Sequence, residues 1–259
     1  MTNIQKILAH HSDDWIYNSL GIENLNPNST SRLRHWFSHV RANHTILDGD
    51  IFEFGVYKGG GTIAMALQLK MLGCDKKIFA FDSFSGFPGY HENDEYKAFA
   101  DRPDLFDAEL REQARLCKEI AEWRLGVPAN AANISTSGDF SDISREWLEI
   151  RLNKFGLNNV EIIEGNFKET IPEFMKTYSG SVFSANIDCD LYEGYRLSLN
   201  AIHPIAVDGA MIYLDEYYSL KFPGARIAVK EFLDETQETV TLLSDEKNDF
   251  QRWAIFKGN

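Results

Sequence analysis

The chain has 259 residues, 44% hydrophobic and 25% charged, which excludes disordered and fibrous classes and suffices to bury a core without disulfide staples. Its 26 Lys+Arg against 39 Asp+Glu give a formal net charge of −13. That balance argues against nucleic acid or an anionic membrane surface as partner, because both are held by clustered cations.

One elaborated domain is the expectation from this length. The first residues are too polar for a signal peptide, and no apolar run approaches membrane-spanning length. Cys74, Cys117 and Cys189 cannot all pair and form no CxxC, so a disulfide framework or structural zinc is not expected. A reducing, cytoplasmic setting is.

Residues 1–45 are polar and helical in character, with Ser29, Thr30 and Ser31 offering a cap before Leu33, Trp36, Phe37 and Val40. From residue 50 onward, short apolar runs alternate with helical periodicity. Ile51–Phe54, Ile78–Phe81, Val160–Ile163, Val182–Ile187 and Ala210–Leu214 read as buried strands. Thr62–Leu72, Ile143–Phe155, Tyr192–Ile202 and Ala225–Leu233 read as the helices between them. This repetition predicts an α/β protein with an open, mostly parallel sheet covered on both faces. Thr239–Leu243 and Arg252–Phe256 suit a terminal hairpin. Residues 91–136 interrupt the repeat, with a charged, helix-forming middle at Asp104–Gly126. Long connections inside a compact domain are usually lids or mobile segments.

The first strand runs into Glu53-Phe54-Gly55-Val56-Tyr57-Lys58-Gly59-Gly60-Gly61-Thr62. Glycines let a backbone turn tightly against a ligand, and the helix that follows offers free N–H donors. A dinucleotide fingerprint needs glycine two residues after Gly55, where Tyr57 stands, so a nicotinamide cofactor is disfavoured. The spacing Glu-x-Gly-x-x-x-Gly resembles motif I of S-adenosylmethionine-dependent methyltransferases. Glu53, Gly55, Val56, Tyr57 and Gly59 are then cofactor contacts, with the acid facing the cationic methionine end. The alternative is a strand-helix turn without a ligand. Asp82, closing the second strand beside Ser83, can accept from both ribose hydroxyls. Gly165, Asn166 and Phe167 after the third strand offer an amide and a ring to an adenine.

The fourth strand ends in Asn186-Ile187-Asp188-Cys189-Asp190 and the fifth in Tyr213-Leu214-Asp215-Glu216. If these strands are neighbours, their tips lie roughly 5 Å apart on the edge that carries the glycine loop. Carboxylates so crowded repel unless protonated or neutralised. A Mg²⁺ ion, which takes oxygen ligands at about 2.1 Å, can be shared by Asp188, Asp215 and Glu216. Capping or solvation is the plainer role for each acid alone. A metal-held hydroxyl loses its proton more readily, and Asp190 is placed to take it as general base.

Five blocks stand in the order found in macrocin and mycinamicin O-methyltransferases. They are Glu53-Phe-Gly-Val-Tyr-Lys-Gly-Gly60, Phe81-Asp-Ser-Phe-Ser-Gly-Phe-Pro88, Gly165-Asn-Phe-Lys-Glu-Thr-Ile-Pro172, Asp188-Cys-Asp-Leu-Tyr192 and Gly224-Ala-Arg-Ile-Ala-Val229. The resemblance spans about residues 48–90 and 137–256. It implies a Rossmann-like class I methyltransferase with a mostly parallel seven-stranded sheet, occupying residues 46–259 and carrying the lid-like insertion 91–136. It also implies metal ligands at Asp188, Asp215 and Glu216, a base at Asp190, and Mg²⁺-dependent methylation of a sugar hydroxyl on a small molecule. A homodimer or higher homo-oligomer is implied too, with residues 1–45 helping to cover the site. The family carries Asp-Asp where this chain has Asp215-Glu216, and the insertion is longer than the resemblance leads one to expect. A catechol-like diol or an amine stays open as acceptor, as does a non-catalytic cofactor-binding scaffold.

Overall fold

In the computed structural model, which describes residues 32–245 and 250–258, the apolar runs pair into one seven-stranded sheet. The strands are β1 (Asp50–Phe54), β2 (Ile78–Asp82), β3 (Val160–Glu164), β4 (Val182–Ile187), β5 (Ala206–Leu214), β6 (Val240–Ser244) and β7 (Arg252–Phe256). Their order is β3-β2-β1-β4-β5-β7-β6. β1 to β5 run parallel, while β7 is antiparallel to both β5 and β6. The expected parallel sheet with a terminal hairpin is therefore what forms. From β1 the chain steps outward to β2 and β3, then returns to β4 on the other side. That reversal opens a crevice at the carboxyl ends of β1 and β4.

Eight α-helices cover the sheet among the described residues: α1 (Arg34–Asn43), α2 (Gly60–Met71), α3 (Ala98–Asp101), α4 (Ala108–Leu125), α5 (Arg145–Phe155), α6 (Phe167–Met175), α7 (Tyr192–Ile202) and α8 (Gly224–Thr236). Alternate strand residues point to opposite faces. Phe52, Phe54, Phe79 and Phe81 thus pack with residues of α6, α7 and α8, while Ile51, Ile78 and Ala80 pack with α1, α2 and α5. None of the described helices is long and apolar enough to cross a membrane.

Two local expectations need revision, and a third falls outside the described residues. Val160–Ile163 reads as a buried strand, yet β3 is the sheet edge and exposes Glu161 and Glu164. It pairs with β2 alone, so only part of it is covered. No helix is expected after Gly165, but α6 forms there, capped by the Asn166 side chain, which accepts from Lys168 N at 3.0 Å. Pro172, inside this nine-residue helix, masks its helical pattern. The Ser29–Ser31 cap lies outside the described residues, and α1 starts after Leu33 with no side-chain cap bond.

α1 is rooted in the core. Trp36, Phe37 and Val40 are wholly buried, and Gln68 donates to the Phe37 carbonyl at 3.0 Å. The insertion is rooted as well. α4 is capped by Asp107, which accepts from Leu110 N at 2.8 Å, and it ends at Gly126 in the left-handed region. Phe99, Phe106, Leu110 and Ala114 belong to the same core as α7 and α8. The insertion therefore packs as a wall against the core through these residues. Replacing a wholly buried phenylalanine removes its transfer energy and leaves a cavity. Phe37→Ala is expected to cost about 3–5 kcal/mol in denaturant unfolding; a loss below about 1 kcal/mol would make α1 peripheral.

Candidate active site

The crevice holds a cavity of about 440 Å³, within the roughly 300–1,000 Å³ usual for small-molecule sites. Glu53, Gly55, Val56 and Tyr57 line one side, Asp82 and Ser83 the next, and Gly165, Asn166 and Phe167 another. Asp188 and Asp190 line the β4 side. Gly59 lies behind this wall. Its φ of 75° starts α2, and a Cβ there would meet Leu148 Cδ1 at 2.3 Å.

Gly55 joins the two halves of the site. Its φ is 90°, and a Cβ on it would fall 1.8 Å from the Asp188 carbonyl oxygen. Only glycine lets the two strand tips come this close. Asp82 then fastens the loop: its Oδ2 accepts from Val56 N at 2.7 Å and Tyr57 N at 2.8 Å, and its Oδ1 from Phe84 N at 2.8 Å. A ribose would share a carboxylate already holding three backbone amides. Tyr57 (φ 50°), Phe140 (φ 62°) and Asp190 (φ 62°) all line the cavity in the left-handed region, a conformation that costs free energy and clusters at functional sites. Tyr57 and Phe140 meet edge-on at 5.1 Å. Ser83 Oγ donates to the Gly86 carbonyl at 2.6 Å and closes the turn after β2.

Glu53 is 2% exposed. β1 and β4 pair it with Asn186 across the sheet, whose Nδ2 donates to Glu53 Oε1 at 3.3 Å. Thr62 Oγ1 donates to the other oxygen. Burial pushes the Glu53 carboxyl up to about 8, with the Thr62 and Asn186 hydrogen bonds opposing. Asn186 Oδ1 is buried without a hydrogen-bond partner. A buried acid beside an unsatisfied amide oxygen suits the ammonium of S-adenosylmethionine, so the residues fit that group. At the far side Asn166 caps α6, and Phe167 meets Phe54 edge-on at 5.8 Å.

β4 and β5 are neighbours, with Ile187 beside Leu214. Ligand oxygens of Asp188, Asp215 and Glu216 consequently lie within 4.8 Å of one another. Against Asp188 and Asp215 sits the Arg32 guanidinium. Its Nη2 is 2.6 Å from Asp188 Oδ2, its Nη1 is 3.2 Å from Asp188 Oδ1, and it also pairs with Asp215. Asp215 Oδ1 is buried and accepts no hydrogen bond, with Arg252 Nη1 3.7 Å away. Glu216 is held from behind. The Tyr195 hydroxyl lies 2.9 Å from both Glu216 Oε2 and the Ile187 carbonyl and accepts from Glu216 N at 2.8 Å. Asp190 N donates to the same Oε2 at 3.4 Å.

The electrostatics follow from crowding. Burial, then the neighbouring carboxylates, raise Asp190 and Glu216 well above the usual carboxylate range. Burial also raises Asp188, against the pull of Arg32 and with the push of Asp215. Burial acts to discharge Arg32, but Asp188 and Asp215 outweigh it and hold its pKa well above an ordinary arginine's. Three carboxylates with ligand oxygens within 4.8 Å of one another, and an Asp215 oxygen without a hydrogen-bond partner, are a hard-donor set of the kind that fits a divalent cation such as Mg²⁺.

Sequence reasoning named both acidic strand tips and the glycine loop. It passed over Arg32, Thr62, Asn186 and Tyr195. Asn186 was readable in principle, since it shares a strand face with Asp188 at spacing two. Arg32 and Tyr195 carry no local signal, because only tertiary packing brings them to Asp188 and Glu216.

The family model described as macrocin-O-methyltransferase (TylF) matches residues 10–111 and 127–246. The chain belongs to this family. The internal stretch it leaves unmatched, 112–126, falls within and just beyond α4. A curated relative from Streptomyces olivaceus, 8-demethyl-8-(2,3-dimethoxy-alpha-L-rhamnosyl)-tetracenomycin-C 4'-O-methyltransferase, is 26% identical over 172 residues. That alignment covers 65% of this chain and 53% of the relative, so the chain spans about half the relative's length. The calicheamicin methyltransferase CalS11 superposes with a TM-score of 0.66 at 20% identity, over 99% of this chain and 90% of its own. The O-methyltransferase NovP does so at 0.60 and 21%, over 88% and 78%. Both show that the fold is that of class I methyltransferases.

The raised Glu53 pKa has a signed consequence. The folded state keeps a proton that the unfolded chain releases near 4.5, so this stabilisation is complete below about 4.5 and is lost as pH rises towards 8. Stability measured by denaturant titration without ligand at pH 5.5, 7 and 8.5 should therefore fall less steeply for Glu53→Gln than for the native chain. Parallel declines would show that Glu53 is ionised throughout.

Proposed function

We propose that this protein is an S-adenosylmethionine-dependent, Mg²⁺-assisted O-methyltransferase acting on a hydroxyl of a sugar-containing small molecule. One observation carries the reading: the Gly55–Asp188 contact sets the glycine loop against the tip of β4, whose Asp188 and Asp190 line the same cavity as the loop. A methyl donor on one side and a hydroxyl on the other would face each other across that cavity. Family membership supports methyl transfer to oxygen, and the rhamnosyl-tetracenomycin relative supports a sugar as its bearer.

Glu53 and the Asn186 amide oxygen would receive the cofactor's ammonium. Asp82 holds the loop in shape, and Phe167 bounds the far side. Asp188, Asp215 and Glu216 would hold the ion, with Tyr195 fixing the orientation of Glu216. When bound, the cofactor supplies a methyl group on a sulfonium and the ion supplies a Lewis acid that lowers a hydroxyl pKa. Asp190 accepts the hydroxyl proton; burial and the neighbouring carboxylates raise its proton affinity, which favours that transfer. Displacement at a methyl group is in-line, so holding the oxygen in line provides much of the rate.

The setting follows from the same reading. Cys74, Cys117 and Cys189 are free thiols, which accords with a reducing cytoplasm. Self-association is supported by α4, where Leu116, Ile120 and Trp123 (86% exposed) form an apolar stripe on the outer face.

Asp190→Asn should lower turnover of a sugar-nucleotide or glycoside acceptor by at least about 100-fold, while affinity for S-adenosylhomocysteine changes less than about two-fold. Exclusive methylation of an amine from the same acceptor panel would refute the sugar reading. Turnover that survives exhaustive chelation would make the three carboxylates structural. Ile120→Glu with Trp123→Glu should reduce the mass in sedimentation; an unchanged mass would place any self-contact elsewhere.

A further inference from the structure

The structure assigns Arg32 the part of a resident counter-ion: its guanidinium pairs with Asp188 and Asp215, two of the three carboxylates that would hold a divalent ion, and must release them when that ion binds. This rests on the metal reading above and extends it to a residue outside the ligand set. The geometry leaves little alternative. Both Arg32 amino groups engage Asp188, and one also pairs with Asp215. A Mg²⁺ ion needs oxygens at about 2.1 Å. The three ligand oxygens span no more than 4.8 Å, and the guanidinium already engages oxygens of two of these acids, so an ion and the guanidinium compete for the same donors.

The exchange requires only a side-chain movement. Leu33 is 1% exposed, and the Tyr213 hydroxyl donates to the Arg32 carbonyl, so the backbone is anchored. The Arg32 side chain is 43% exposed, while those of Asp188 and Asp215 are 14% and 8% exposed. The guanidinium thus closes the mouth of the site and has solvent to move into.

The arrangement answers a physical problem. Buried carboxylates without a counter-charge are costly, and crowding would otherwise drive the strand tips apart. A fork-shaped cation supplies that counter-charge and ties Asp188 to Asp215. The ion then meets a preformed site, at the expense of displacing the arginine. Affinity for the ion is consequently set by a competition within the chain.

The test is titration calorimetry of the full chain with Mg²⁺, and with Mn²⁺ as a second probe, with no cofactor or acceptor present. Arg32→Gln should bind the ion about ten-fold or more tightly than the native chain, because nothing has to be displaced. Arg32→Lys, which keeps the charge but not the fork, should lie between them. It serves as the measurement if Arg32→Gln does not fold by circular dichroism. In thermal melts the ion-free glutamine variant should unfold below the native chain, and saturating Mg²⁺ should close that gap. Equal or weaker ion binding by the folded variants overturns the counter-ion role while leaving the metal site intact. No binding to the native chain or any variant overturns the metal reading and this inference together.

Discussion

Ile187 stands beside Leu214 in the sheet, and both strands continue directly into acids. Two parallel neighbours a few ångströms apart must therefore crowd Asp188, Asp190, Asp215 and Glu216 at one rim. Like charges at that spacing, shielded from water, are tolerated only beside a positive charge or with protons bound. Much of the surrounding structure answers this demand. Arg32 enters from the residues just before α1, Arg252 approaches from β7, and Tyr195 braces Glu216 from α7. The deep rooting of α1 through Trp36 and Phe37 has a purpose in this light, since it delivers the arginine to a fixed place.

The second constraint is steric. With Gly55 pressed on the Asp188 carbonyl, the glycine loop cannot shift without moving the carboxylate tip. Asp82 extends the linkage to β2 through Val56, Tyr57 and Phe84. Three strand ends behave as one body, which is what a reaction needs when it depends on aligning two ligands rather than on a single reactive side chain.

Much of this was legible in the residues. Val182–Ile187 and Tyr192–Ile202 have the same bounds in sequence and structure, because apolar runs and turn residues bracket them cleanly. The acids at the tips of β4 and β5 were recognisable for the same reason: a strand that stops at an acid announces its own edge. β3 misled because an apolar run cannot say whether one or both of its sides are paired. α6 was hidden by Pro172. Arg32, Asn186 and Tyr195 belong to another class, since each acts through a partner more than 100 residues distant or on another element. Local pattern carries no information about such pairs. Asp82 lies between the two cases: its presence at the strand end was plain, whereas its commitment to three loop amides depends on how β1 and β2 align.

The wall formed by α3 and α4 bears on how the family diverges. Its buried anchors Phe99, Phe106 and Leu110 lie in the stretch shared with the family, whereas the outward stripe Leu116, Ile120 and Trp123 lies in the stretch that is not. Across that boundary the helix meets the core through small residues, Ala114 and Ala121, which ask little of the surface they rest on. The buried side chains of this stretch are methyl groups, while its bulk points outward. Changes on the outer face of α4 can therefore be made without repacking the wall of the cavity.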